Sequence, residues 1–181
     1  MFYEIRAKTH VRVTPNLLGE DIKTAITTKL NEDLEGYISA ETGFIISVDE
    51  ILSIGEGKII PGDGAPYYET EFKYLTFIPE MQEVVTGKIT DITNFGAFLT
   101  VGPAEGMIHV SQTMDDFVSV SKQKTLAGKE SKKVLKVGDK CRARIIAVSY
   151  KDLGNPKVGL TMRQNHMGSL KWINEEKKDG K

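Results

Sequence analysis

The stretch Gly87-Lys-Ile-Thr-Asp-Ile-Thr-Asn-Phe95-Gly96-Ala-Phe98-Leu99, followed by Gly106-Met-Ile-His109-Val-Ser111, decides the fold of the second half of this chain. Across Glu83 to Thr93, Val85, Gly87 and Ile89 alternate with polar residues and Ile92 falls out of phase. That is the pattern of a curved barrel strand. Phe95 and Phe98 are three positions apart, so a regular strand turns them to opposite faces. Gly96 between them offers a way out, since a glycine inside a strand often marks a bulge that resets the alternation. With the bulge both rings face outward; without it one ring is core. Two outward rings beside His109 form a platform on which bases stack, at about 1–3 kcal/mol per base and with little regard to base identity.

The rest of this half completes a small barrel. Lys136-Val-Gly138-Asp139 reads as the turn opening a fourth strand, Lys140 to Tyr150, and Lys157 to Arg163 reads as the closing strand. Between Ser111 and Lys136 lies an insert longer than a small barrel needs. It contains Asp115-Asp116, which have no histidine or third carboxylate nearby and so read as surface or capping groups rather than metal ligands. Residues 122–144 hold nine basic side chains against Glu130 and Asp139. Such a run is either a solvated loop or a field that draws polyanions. Beside the aromatic platform it favours nucleic acid, with Lys88, Lys157, Arg142 and Arg144 placed to neutralise the backbone. Met167, Leu170, Trp172 and Ile173 then suggest a short docked helix before a charged tail.

The first half has a different grammar. From Tyr3 to Val13 the odd positions are apolar or small and the even ones charged, giving a strand with one buried face. Ile22, Ile26, Leu30 and Leu34 recur every four residues with Ala25 beside them, one apolar face of a helix that Gly36 stops. Phe44–Ile54 and 66–78 read as two more strands. This β-α-β-β order packs one helix on a three-stranded sheet. Between the last two strands, Gly55, Gly57, Gly62 and Gly64 surround Ile59, Ile60, Pro61 and Asp63. The segment lacks the spacing of a phosphate-binding loop. A plain hairpin loop and a protein-docking tip both fit, and the isoleucines favour docking. His10, with no second ligand near it, reads as a surface residue.

Composition sets the outer bounds. At 181 residues the chain holds one medium domain or two small ones, and no run approaches the length of a membrane span. Charges fall among the first residues, Met1-Phe-Tyr-Glu4-Ile-Arg6, where a signal peptide needs an apolar stretch. Cys141 is the only cysteine, which excludes an internal disulfide or a Cys-rich zinc site and suits a reducing cytoplasm. The net charge of −1 conceals an asymmetry: residues 1–80 carry a net of −7 and residues 81–181 a net of +6. Halves of opposite sign point to two different partners.

Two resemblances follow from these residues. The run from Gly87 to Ser111 resembles the S1 RNA-binding motif, a variant of the OB barrel. Across the whole chain, five segments together resemble the larger stalk subunit of archaeal DNA-directed RNA polymerase, related to the seventh-largest subunit of eukaryotic RNA polymerase II. They are Gly55-Glu-Gly-Lys-Ile-Ile-Pro-Gly62-Asp63-Gly64-Ala, Tyr74-Leu-Thr-Phe-Ile-Pro79-Glu, His109-Val-Ser-Gln112-Thr-Met-Asp115-Asp116, Gly159-Leu-Thr-Met-Arg163-Gln and Leu170-Lys-Trp172-Ile173. The resemblance implies an α+β N-terminal domain of truncated ribonucleoprotein type over residues 1–79, with its tip loop at 55–66. An all-β S1-type OB barrel with a basic insert and C-terminal tail is implied over 80–181.

The same resemblance implies a non-catalytic, cytoplasmic stalk subunit that forms a heterodimer with the smaller stalk subunit, the counterpart of the eukaryotic fourth subunit. Its N-terminal tip, Gly55, Gly57, Ile60, Pro61, Gly62, Asp63 and Gly64, is expected to dock on the polymerase core near the clamp. Emerging single-stranded RNA is expected on Phe95, Phe98, His109, Lys88, Arg142, Arg144 and Lys157, aiding initiation and elongation. Many S1 domains carry an acid where this chain has Ser149 and an arginine near Lys157, so contacts at that edge depart from the pattern. No cofactor and no metal is expected, and no catalytic constellation is legible. The alternative is an S1 cofactor of RNA processing or translation. Exosome caps add a KH domain or a zinc ribbon, yet this chain has no G-x-x-G and one cysteine. The α subunit of translation initiation factor 2 places its S1 motif first, whereas here it starts near residue 81.

Overall fold

The computed structural model describes residues 1–19, 21–121, 124–152, 154 and 156–179. The chain divides into two compact units, Met1–Ile78 and Pro79–Lys181.

In the first unit, β1 (Phe2–Arg12) is followed by a 3-10 turn at Pro15–Leu17, α1 (Ile22–Leu34), β2 (Ile38–Ser39), β3 (Gly43–Ile59) and β4 (Pro66–Phe77). The sheet order is β1-β4-β3-β2. Asp21 caps α1 by accepting from the Thr24 N–H, and the chain leaves the helix through Gly36 at φ +75. The expected apolar stripe of the helix is buried through Ala25, Ile26 and Leu30, against Val11, Ile45, Val48, Phe72 and Tyr74 of the sheet. The opposite sheet face is polar: Lys8 pairs with Glu69, Arg6 with Glu71, and Lys73 with Glu4.

Two expectations need correction. A two-residue strand, β2, joins the edge of β3, so the sheet has four strands rather than three. The segment 55–66 is not a loop throughout, because β3 continues to Ile59 against β4 and only the turn itself lies between the strands. Gly55 and Gly57, two of the four glycines that suggest a loop, serve the pairing instead, and Gly62 and Gly64 lie in the turn. A Cβ on Gly57 would sit 2.8 Å from the Tyr68 ring and one on Gly55 3.2 Å from the Glu69 carbonyl. The register also shifts between Ile54 and Gly57.

In the second unit, β5 (Val84–Thr93), β6 (Gly96–Val101), β7 (Ala104–His109), β11 (Lys140–Ser149) and β12 (Lys157–Thr161) close a barrel. Its order is β5-β6-β7-β12-β11 and back to β5, all neighbours antiparallel except β7 and β12. This is the OB arrangement, and its interior is filled by Ile89, Leu99, Ile108, Ile145 and Leu160. Gly87 lets two strands approach: a Cβ there would fall 1.9 Å from the Thr100 carbonyl oxygen. The basic insert is folded, as an antiparallel sheet of β8 (Val118–Ser121), β9 (Thr125–Gly128) and β10 (Val134–Lys136) over the buried Leu126 and Leu135. After β13 (Gly168–Ser169), α2 (Leu170–Asp179) docks by burying Trp172 and Ile173. Lys122, within the basic run, and the last two residues of the tail lie outside the described residues. No helix among the described residues is long and apolar enough to cross a membrane.

Candidate nucleic-acid interface

The aromatic pair is arranged by a turn rather than by a bulge. Gly96 pairs regularly with His109, Ala97 with Ile108 and Phe98 with Met107, while the irregularity in this ladder lies in β5, between Ile89 and Asp91. Phe95 precedes β6, in the turn from β5, so strand alternation does not govern it. The residue is 71% exposed. Gly96 is required for close approach, since a Cβ there would meet the Ile108 carbonyl oxygen at 2.0 Å. Phe98 is half-buried on the outer barrel face, directly across from Met107 on one side and Asp91 on the other.

Phe98, Met107, His109, Gln112, Ser149 and Lys157 line a groove of 580 Å³ on this face. His109 has a defined donor in it. The Ser111 N–H donates to Nδ1 (3.3 Å), and the Ser111 hydroxyl lies 2.8 Å from the same nitrogen. An amide N–H can only donate, so Nδ1 is the acceptor and the neutral ring carries its proton on Nε2. Gln112 is oriented in a similar way. The Arg163 N–H donates to Thr161 Oγ1 (3.2 Å), whose own hydroxyl donates to Gln112 Oε1 (2.7 Å). Met107 carries no sequence signal of its own and enters the groove as the cross-strand neighbour of Phe98, while Gln112 and Ser149, which the resemblance singles out, join it because β12 pairs with both β7 and β11.

The cations expected in the site are not all brought together. Lys157 lines the groove. Lys88 is one strand away and stands directly opposite Lys140. Like charges facing each other are unfavourable for the sheet itself. Arg142 pairs in register with Thr86 and Gly168, away from Phe98. The Arg144 guanidinium donates to Gln164 Oε1 (2.8 Å) and to the Gln82 carbonyl (2.9 Å). From the insert, Lys124 reaches Asp91 at 2.7 Å, and this hydrogen bond holds the Asp91 carboxyl below its ordinary range. Asp115 pairs with Arg163. Asp116 caps the turn after β9, accepting from the N–H groups of Ser131 (2.9 Å) and Glu130 (3.0 Å), which together with the Ser131 hydroxyl lower its pKa. Among the described residues no cluster of three or more His, Cys, Asp or Glu is arranged to hold a metal.

The hairpin tip of the first unit is organised on other lines. The Asp63 N–H donates to the Ile60 carbonyl (3.0 Å), with Pro61 and Gly62 (φ +93) between them, the residue choice of a type II turn. Asp63 accepts from Arg12 Nε (2.8 Å) and Nη2 (2.7 Å), and from the Tyr67 hydroxyl (2.8 Å). The hydrogen bonds from Arg12 and then Tyr67 hold its carboxyl well below the usual carboxylate range. With its polar groups turned inward, the tip leaves Ile59 72% and Ile60 51% exposed.

Two family models match the chain. Residues 8–64 match the SHS2 domain found in the N terminus of Rpb7p/Rpc25p/MJ0397, and residues 78–152 match the S1 RNA binding domain. DNA-directed RNA polymerase subunit Rpo7 of Saccharolobus shibatae is 36% identical over 180 residues, covering 98% of this chain and 100% of that protein. The subunit of the same name from Sulfolobus acidocaldarius is 34% identical over 177 residues, covering 97% of each. DNA-directed RNA polymerase II subunit 7 of Arabidopsis thaliana is 27% identical over 116 residues, 64% of this chain and 66% of that protein.

Proposed function

We propose that this chain, which belongs to the Rpo7 family of DNA-directed RNA polymerase subunits, is a non-catalytic stalk subunit that holds emerging single-stranded RNA on its S1 barrel. The observation that carries the reading is the outer barrel face. It brings Phe98, His109 and Lys157 into one groove, while Phe95 stands exposed outside that lining in the turn before β6; a ring beside a donor and a cation suits a base and its phosphate. Lys88 and Arg142 add positive charge at longer range, while Arg144 is held in the barrel's own hydrogen bonding. Polymerisation itself belongs to the complex, which the chain joins in the cytoplasm.

The first unit serves the assembly. Ile59, Ile60 and Pro61 at the tip dock on the polymerase core near the clamp, with Gly55, Gly57, Gly62 and Gly64 shaping the hairpin and Asp63 bracing it. The smaller stalk subunit is the second partner, bound as a heterodimer. RNA held on the barrel aids initiation and elongation. On this reading the domain boundary falls at residues 79–80, with the tip inside the first domain.

The test is co-expression with the smaller stalk subunit and a stalk-less archaeal polymerase core, followed by assembly and RNA crosslinking. A stoichiometric complex whose RNA crosslinks fall in the F95A/F98A variant is the expected result. Assembly with unchanged crosslinks makes the barrel architectural. Failure to assemble removes the polymerase assignment of the tip.

A further inference from the structure

Gln112 and His109 line the barrel groove with Phe98, and both are held so that what they offer it is a donor. We infer that they read the edge of the base stacked on Phe98, favouring bases that carry a carbonyl oxygen over adenine, with Gln112 as the specificity-determining residue. The inference rests on the reading of the barrel as an RNA-binding surface and names the bases that surface prefers.

The strand register gives the groove two ends. Glu105, Met107 and His109 alternate onto one face of β7. β12 runs parallel to it with Gly159 beside Met107, so Lys157 lies toward Glu105 and Thr161 toward His109. Phe98, directly across from Met107, stands between the ends. One end holds the charges of the groove: the Lys157 ammonium, and the Glu105 carboxylate, which accepts from the Thr90 hydroxyl (2.6 Å). Ser149, in register with Lys157, belongs to that end as well. A phosphate is drawn to the ammonium there. His109 and Gln112, which bonds to Thr161, make up the other end.

Gln112 is fixed in one sense. Thr161 is buried, and its Oγ1 already accepts from the Arg163 N–H (3.2 Å), so its own proton needs an acceptor. Gln112 Oε1 is that acceptor, at 2.7 Å. A glutamine with both ends free reads adenine, accepting from N6 and donating to N7. Here the acceptor is consumed and the amide N–H groups remain for the groove. His109, with Nδ1 accepting from the Ser111 N–H, likewise presents Nε2–H.

Adenine is the one RNA base without a carbonyl, and each edge it pairs through sets an amino donor beside a ring nitrogen. Donors that meet this amino group are left unpaired, whereas O2 or O4 of uracil accepts from them. Stacking on Phe98 is indifferent to the base, so discrimination falls to these edge contacts.

The test is the affinity of the full chain for oligouridylate and oligoadenylate of about 8 nucleotides, within the span of one OB barrel, measured by fluorescence anisotropy. Wild type is expected to bind uridylate more tightly. Gln112→Leu is expected to weaken uridylate about fivefold or more and to leave adenylate unchanged. Each variant is compared with wild type on the same RNA, so the self-stacking of oligoadenylate drops out. Gln112→Glu keeps an acceptor for Thr161 and turns an oxygen toward the groove, so it is expected to shift the ratio of the two affinities further toward adenylate. Because it keeps that acceptor, it also decides the matter if the leucine variant fails to fold. A wild type that binds adenylate as tightly, or variants that leave the ratio unchanged, overturn the inference; equal weakening of both RNAs makes the amide a phosphate contact. Phe98→Ala weakens both RNAs if the barrel reading holds. If that variant binds both as wild type does, the barrel reading fails by itself.

Discussion

The hairpin tip and the barrel face are both exposed, yet their polar groups are used in opposite ways. At the tip, the Asp63 carboxylate, the Arg12 guanidinium and the Tyr67 hydroxyl are spent on one another, and what reaches solvent is Ile59 and Ile60. On the barrel, the half-buried Phe98 lines one groove with His109 and Lys157, and Phe95 reaches solvent from the turn before β6. A surface that satisfies its own polar groups and shows aliphatic carbon is suited to another folded protein. One that sets donors beside flat rings is suited to bases and phosphates. The opposite charges of the two halves follow the same division.

The largest expected effect tests whether the two regions fold separately. Gly87→Ala drives a methyl group against the Thr100 carbonyl and is expected to cost the barrel about 3 kcal/mol. Hydrogen exchange should then rise across β5, β6 and β11 while amides of β1, β3 and β4 keep their protection. Equal loss in both units would show that one cooperative transition spans the chain. Next in size is a crossed pair of substitutions. Phe98→Ala should weaken RNA binding by about 1–3 kcal/mol with no change in assembly on the polymerase core. Ile60→Asp should block that assembly and leave RNA affinity as it was. If either substitution impairs both readouts, the division of labour is wrong.

Much of this contrast is legible in the residues. Strand alternation in β1 and the four-residue apolar repeat of α1 follow from patterns that burial imposes on any chain, whereas the barrel is legible through the resemblance of Gly87–Ser111 to the S1 motif. Phe98, His109 and Lys157 stand out because their residue types are chemically conspicuous, and the barrel brings them to one groove. Where the sequence misleads, the cause is mostly glycine. Gly96 suggests a bulge, but it serves the close approach of β6 to β7, and Phe95 owes its exposure to the preceding turn. Gly55 and Gly57 suggest a loop, but the Tyr68 ring occupies the space a side chain would take beside Gly57. Phe117 gives no signal at all. Only the fold shows that its ring is 75% exposed.

The third prediction concerns how the tip stays apolar. Asp63→Ala removes the acceptor that holds Arg12 and Tyr67, so the turn from Ile60 to Asp63 should exchange its amide faster and core assembly should weaken, with RNA binding untouched. The same brace has a pH dependence of definite sign. Hydrogen bonds from Arg12 lower the Asp63 carboxyl in the folded chain, so the stabilisation is complete above the ordinary carboxylate range. It is lost as pH falls through that range towards the depressed value. Amide exchange at Asp63 measured from neutral to strongly acidic pH should show protection falling only at the acid end. A loss beginning near neutrality would mean that a group other than Asp63 braces the tip.

The smallest effect asks which cations on the barrel side are available to meet RNA. For a single strand, each lysine or arginine that neutralises a phosphate contributes about 0.7 to the slope of log affinity against log salt. Lys157 lines the groove beside Phe98, so Lys157→Gln should lower that slope by about 0.7. Arg144 carries the same charge, but its guanidinium is held by Gln164 and the Gln82 carbonyl, so Arg144→Gln should change the slope by less than this. Thermal melting should rank them the other way, because Arg144→Gln removes hydrogen bonds made within the barrel. Equal slopes for the two variants would mean that RNA responds to the summed field of the basic half. The groove at Phe98 would then have no privileged cation, and the contrast with the self-satisfied tip would rest on the aromatic rings alone.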